Sequence, residues 1–562
     1  MKRSWLCTVT LVLSILPDTA FGAEILVYED MDSHVAGRSA VATIDQNSAF
    51  GEKTDLDSGS TSFYVTVASI PGNNDLDVAL RYKYVPYSQG SLHGWRWERD
   101  VPYIVGEFAA HVGWVVGTYP NTSDMRCSHP GLPASPPEVP SDGGKAGTFL
   151  PEEYWNGYRL VLPGGRSELL NPIWVPLENQ PTSGGPFYWA TNSGWFFSCI
   201  PPSGGKGEGF LGHSPDGKKY FFSGRSTTPM PDVLKKYNYL GETLLHRWEV
   251  RMTLDRVEDR FGNYVQGLNA SDGRQITENN LGNGVYEVSD GSRQWTYTVG
   301  DSEFRIEYPD GSQWKLELAG GFTRNSYGGA SCSNTQIQKY SGSAQIQVTI
   351  PSGANAVFEF EPRQRGFSYV PFTCYRPVPG SDYFVRTPNV LSEISLIKKT
   401  VSGPGLDTFW SEFDYGPLNN CYSNTGSGGL PACTAASPIY RTTTISRSDN
   451  TFTRYAFGNK AMENQGQLLR IEEGSISSGV QKSTANSWAL FDMVGGAAYG
   501  GTEVAYSLSA VRRLAISEKV VTMQEQNFIW RVASDCGPTG SSLCFDDFIR
   551  PTKVIRRSSP VP

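Results

Sequence analysis

The chain has 562 residues, with 48 Lys and Arg against 56 Asp and Glu, a formal charge of -8 and a pI of about 5.5. This mild acidic excess argues against nucleic acid as a partner, because phosphates demand clustered cations. The one basic cluster, Lys553-Val-Ile-Arg-Arg557, sits in the terminal tail. Gly 60 and Pro 36 punctuate the chain and aromatic residues reach 12%. Helical periodicity is nearly absent, so the composition points to an all-β protein.

The N-terminus begins Met1-Lys-Arg-Ser, runs through the apolar stretch Trp5 to Leu16, and reaches Ala20-Phe-Gly22 before Ala23. A positive start, a short apolar core and small residues two apart predict a secretory signal peptide over residues 1–22. Its core of about a dozen residues is too short for a bilayer, which needs roughly 20. No later segment is apolar enough to cross, so no transmembrane segment is expected after cleavage. Cleavage removes Lys2, Arg3 and Asp18 and moves the formal charge from -8 to -9. Residues 23–54 then form an N-terminal leader, 55–240 a first β-region carrying most insertions, and 241–562 an array of β-hairpins.

Within the first β-region, Asp55-Leu-Asp-Ser-Gly59 lacks the third ligand and the distal Glu of a calcium loop, and is expected to be a solvated turn. Leu76, Val78, Leu80, Tyr82 and Tyr84 alternate with polar residues, as in an antiparallel strand with one wet face. Trp95, Trp97, Trp114, Trp155, Trp174, Trp189 and Trp195 crowd the same region. Trp95, Trp97 and Trp114 are candidates for stacking on an envelope glycan; the competing reading packs them into a β-core. Gly207-Glu-Gly-Phe-Leu-Gly212 matches G-x-G-x-x-G, but a hairpin follows at once where a dinucleotide site needs a helix.

The hairpin signal recurs at Ser214-Pro-Asp-Gly, Ser271-Asp-Gly, Ser289-Asp-Gly, Tyr308-Pro-Asp-Gly, Pro351-Ser-Gly and Arg447-Ser-Asp-Asn. Asp-Gly between extended segments is the strongest short-range hairpin signal. The irregular spacing excludes a propeller or solenoid of fixed period. It predicts antiparallel hairpins forming one large, twisted, curling sheet with long Gly/Pro loops, such as His129 to Gly144, Asn325 to Asn334 and residues 415–437.

Eight cysteines remain after Cys7 leaves with the signal. An even number in an exported chain suggests disulfides. Eight cysteines allow 105 connectivities; Cys421–Cys433 and Cys536–Cys544 bracket Gly/Pro-rich loops and are the expected pairs, while Cys127, Cys199, Cys332 and Cys374 leave the rest open, with Cys127–Cys199 and Cys332–Cys374 as one choice. Zinc would want paired Cys-x-x-Cys or Cys/His spacing, and only Cys127-Ser-His129 comes near. The six histidines suggest no triad, and no nucleophile elbow, His-Glu-x-x-His or Walker loop occurs, so neither enzyme activity nor a cofactor is expected.

The most informative stretch is Arg247 to Val265, where an alternating apolar run turns through Asp259-Arg260-Phe261-Gly262-Asn263. Around it, in order, stand Phe50-Gly-Glu, Thr61 to Leu80, Gly94-Trp-Arg-Trp, Pro215-Asp-Gly-Lys-Lys-Tyr-Phe221, Ser402-Gly-Pro-Gly-Leu406, Arg454-Tyr-Ala-Phe-Gly-Asn459 and Phe548-Ile-Arg-Pro-Thr-Lys-Val554. Together these segments resemble the upstream region of RHS-repeat (YD-repeat) proteins, which are large exported bacterial β-proteins, many enclosing a toxin. The defining Tyr-Asp-x-x-Gly-Arg repeats, the self-cleaving core and the variable toxin of that family do not occur in the sequence. The resemblance therefore implies the upstream part of a longer protein or a shortened, truncated relative: a non-enzymatic segment of a partial RHS-type shell, secreted, periplasmic or held at the cell surface. The partners it implies are a downstream RHS chain or toxin cargo, with envelope glycan as the alternative.

Overall fold

The computed structural model describes residues 49–86, 95–109, 114–118, 121–129, 139–140, 146–147, 157–173, 180–203, 207–237, 241–325, 339–370, 374–375, 385–386, 390–423, 432–460, 463–491, 513–536, 542–546 and 549–561. The chain is all-β, built of large antiparallel sheets, one of them curled to a nearly closed, barrel-like form. The expected signal peptide and most of the leader lie outside the described residues.

A first sheet pairs Glu52–Thr54, Thr61–Ile70, Val78–Pro86 and Trp95–Arg99 in chain order. A second sheet runs from Tyr103–Ala109 to Asn269–Ala270 and is centred on the hairpin of Lys219–Tyr237 with Gly241–Glu258. The expected division between 240 and 241 therefore falls between two strands that pair with each other. Backbone pairing groups 219–258 as one unit, and the first β-region is instead split at Asp100 between two sheets.

The third sheet has 16 strands, from Thr277–Gly282 to Val554–Pro560, each hydrogen-bonded to its predecessor in the sheet. The recurring Asp-Gly segments become its tight turns: Ser289 pairs with Gln294, Glu307 with Gln313, Thr349 with Asn355. At Gly291 and Gly311 φ is +87° and +81°, a conformation that side chains with a Cβ rarely adopt. Strict period-2 patterning separates the faces. Ile346, Val348, Ala356, Phe358 and Phe360 are buried, while Gln345 and Gln347 are exposed. The outer face carries cross-strand and same-strand ion pairs, such as Lys315–Glu317 at 2.7 Å and Lys398–Glu412 at 2.8 Å.

The first sheet fills the inner side of the third. Phe63, Val65, Leu80, Tyr84 and Trp95 share one core with Tyr297, Phe304, Leu316, Ile346, Phe358 and Leu396. Phe63 meets Phe358 edge-on with ring centroids 5.0 Å apart, and Trp295 Nε1 donates to the Val67 carbonyl at 3.1 Å. The second sheet has its own aromatic core around Phe108, Trp114, Tyr158, Trp189 and Phe210.

Because every neighbour in the third sheet is antiparallel, successive connections alternate between its ends. The tight turns at 290–293, 308–312, 350–354, 404–405, 448–450, 476–478 and 524–525 share one end. The strand ends joined through the longer connections 326–338, 367–389, 415–439, 459–467, 492–512 and 533–553 share the other. That end forms a rim of the sheet, and loops on a rigid scaffold commonly carry function.

Candidate functional site

At the loop-bearing rim, connections distant in sequence are knitted together. Buried Asn459 is the hub: its main-chain carbonyl accepts from Ser368 N at 2.9 Å, its side-chain oxygen accepts from Ser368 Oγ at 3.1 Å, and its Nδ2 donates to the Asn419 carbonyl at 2.8 Å. Gly458 before it has no room for a side chain, since a Cβ there would lie 2.0 Å from the Asn464 carbonyl oxygen. The Cys421–Cys433 disulfide closes the neighbouring connection, and Tyr369 OH donates to Thr434 O at 2.8 Å.

Beneath this rim lies a small cleft lined by Asp57, Ser58, Arg365, Glu393, Tyr415 and Arg441. The Asp55–Gly59 loop, expected to be a solvated turn, is instead pressed into the third sheet. Leu56, Asp57, Ser58 and Gly59 are all buried. Its carbonyls are taken one by one: Leu56 O accepts from Thr443 Oγ1 at 2.7 Å, Ser58 O from Ser395 Oγ at 2.6 Å and Gly59 O from Leu396 N at 2.9 Å. The sequence lacked a signal for this, because the partners lie more than 300 residues away.

Asp57 is gripped by Arg441, whose Nε donates at 2.7 Å and whose Nη2 reaches the second carboxylate oxygen. Arg441 Nη1 also donates to the Gly366 carbonyl at 3.2 Å. Arg365 Nη1 stands 3.7 Å from Asp57 and 3.3 Å from Glu393. Burial raises the Glu393 carboxyl above its usual range, with Arg365 opposing; burial likewise lowers Arg441, with Asp57 opposing. Both carboxylates of the cleft face guanidinium groups, although Arg365 Nε is buried without a hydrogen-bond partner, and its chemistry is that of a clasp joining the 55–60 loop to three strands.

The Asp259-Arg260-Phe261-Gly262-Asn263 motif forms a second junction. The Asp259 carboxylate accepts from Phe261 N at 2.8 Å, Asn263 N at 2.9 Å, Asn263 Nδ2 at 3.0 Å and Asn74 Nδ2 at 3.1 Å. The Asn263 side chain leads the donors that hold Asp259 down to about 2. Nearby, Arg274 Nη1 donates to the carbonyls of Ile70, Pro71 and Leu76 at 3.3, 2.8 and 3.2 Å. The motif's buried end therefore ties the 70–77 loop to the segment entering the third sheet, while Arg260 and Phe261 project into solvent.

The tryptophans proposed for glycan stacking are corrected to core residues. Trp95 and Trp114 are 2% and 0% exposed, so neither offers a ring face to a ligand. Trp97 is half-buried, stacked on Tyr84 at 4.5 Å and packed against Phe304 at 4.4 Å. The G-x-G-x-x-G segment forms the strand Gly209–His213, in which Gly212 leaves room for Phe197: a Cβ would lie 2.9 Å from that ring.

Disulfides join Cys127 to Cys199, Cys421 to Cys433 and Cys536 to Cys544. Cys332 lies outside the described residues, and so does its pairing with Cys374. With Cys127 bonded to Cys199, the Cys127-Ser-His129 segment has no thiolate for zinc. Among the described residues the cluster Asp535, Cys536 and Cys544 has metal-like spacing, but both sulfurs are spent in a disulfide. No helix among these residues is long and apolar enough to cross a membrane. No protein-family model matches the chain, and no curated protein matches it.

Proposed function

We propose that this chain is an exported, non-enzymatic β-shell segment of RHS-like type that contributes wall to a surface or secreted assembly. The observation that carries the reading is the third sheet. Its 16 antiparallel strands lie side by side, with an apolar inner face as far as the strand Leu468–Ser475 and ion pairs on the outer face, the construction a continuous wall requires. The first sheet occupies the inner side along strands 285–471, so the wall is backed by the protein's own side chains there rather than by cargo. Disulfides near the rim suit an oxidising compartment.

The test is fractionation of producing cells with an antibody against residues 23–562, combined with native mass. Expected is a processed chain outside the cytoplasm, migrating with an assembly well above the 61.7 kDa of the single chain. An unprocessed, free monomer in the cytoplasm with reduced cysteines would overturn the reading.

A further inference from the structure

Histidine is the side chain whose charge changes between about pH 5 and 8, and His213 stands where that change is poorly accommodated. It closes the strand Gly209–His213, between Phe196 and Lys219 on the two neighbouring strands. Residues directly opposite share a face, so the three side chains form one row across the second sheet. The loop 181–187 lies over that row. Gly184 has φ +91° and its main chain rests on the ring edge: a Cβ there would be 2.5 Å from Cε1 and 2.9 Å from Nε2 of His213. Phe187 meets the imidazole at 90° with centroids 5.1 Å apart, and meets Phe196 edge-on at 5.7 Å.

These contacts leave His213 Nε2 buried without a hydrogen-bond partner. An imidazolium suffers most from this, because both of its nitrogens must donate. The surrounding charges add to the penalty. Lys219 is the cation directly opposite, and its own counter-charge, Glu258, lies 3.8 Å from it on the next strand. In the turn that follows His213, Asp216 is engaged by Lys218. The loop 181–187 and the strand Phe196–Ile200 bring no charged side chain. Burial, and after it Lys219, holds the imidazole below its usual range.

Little else fastens the loop. Among the described residues, no hydrogen bond holds the main chain of 181–187, and residues 182–186 are exposed. Its anchor is Phe187, buried with Ala190 and Phe196 in a small cluster apart from the aromatic core of the second sheet.

We propose that the loop 181–187 is a lid released by acid, with His213 as its trigger: a proton on the ring lifts Gly184 and Phe187 away and uncovers Phe196. Because the closed lid opposes protonation, it is favoured while the ring is neutral and loses ground as pH falls below about 6.5, the ordinary histidine value. The device acts within the second sheet and is separate from the wall reading.

Amide exchange of the full chain tests this at Tyr188, whose N–H donates to Phe197 O at 2.9 Å just beyond the lid. After correction for the intrinsic pH dependence of exchange, opening is expected to rise severalfold between about pH 7.5 and about pH 5, with about thirtyfold as the ceiling set by an ordinary imidazole in the open form. His213→Phe keeps a planar ring under Gly184 and should hold opening level across that range. Coupling is reciprocal, so Phe187→Ala, which frees the lid, should move the His213 titration midpoint up toward about 6.5 in histidine-labelled protein observed by NMR. Opening that stays level with pH in the unsubstituted chain, a rise that persists in His213→Phe, or a midpoint unmoved by Phe187→Ala would overturn the proposal.

Discussion

Replacing Arg441 with Met probes the clasp most directly. Asp57 keeps a side chain only 1% exposed, and Arg441 one only 5% exposed, so solvent cannot screen the pair. Removing the guanidinium strands a buried carboxylate and frees the Gly366 carbonyl that Arg441 also serves. Breaking a buried ion pair from one side costs about 3–5 kcal/mol. Arg365, 3.7 Å from Asp57, supplies partial compensation and places the expected cost near 3 kcal/mol, the lower end of that range. Because the 55–60 loop hangs on this contact, the loss should appear locally, as roughly a hundredfold faster exchange at Leu396 and Gly59 amides. Adding Asp57→Leu removes the orphaned charge and should recover about half or more of the loss, since apolar replacement of both partners is often neutral. Wild-type exchange in the single variant, or a double variant as loose as the single, would refute the assignment of the clasp.

Three further outcomes are expected. The Asp259 carboxyl should titrate at about 2 in selectively labelled protein observed by carbon NMR, and Asn263→Ala should move it toward the usual range of about 4. Because the folded value is depressed, the turn's contribution to stability is complete above about pH 4 and is lost as pH falls through about 2. Gly458→Ala forces a methyl against the Asn464 main chain and should cost about 1–3 kcal/mol in urea unfolding, with faster exchange at Ser368. Trp114→Ala should cost about 3–5 kcal/mol by the same assay, because the ring is fully buried between Phe108 and Tyr158; a neutral effect would contradict its place in the core.

What the sequence determined by itself was local. Period-2 alternation fixed the strands, as at Ile346 and Val348, because a strand that buries one face must place apolar residues two apart. Asp-Gly fixed the tight turns, because so few residues adopt their backbone angles. The cysteine pairs 421–433 and 536–544 were legible because each spans a short loop. Tertiary structure alone decided where these pieces meet. A residue's type does not say which surface will cover it, so Trp95 and Trp114 could be read as ligand platforms as well as core. Likewise Asp55–Gly59 carries the polar composition of a wet turn and is buried only because Thr443, Ser395, Leu396 and Arg441, 337 or more positions away in the chain, supply bonds that water would otherwise make. The same limit holds for the edge at Val554–Pro560: its sequence reads as a basic tail, and only the strand order reveals it as the last rung of a sheet.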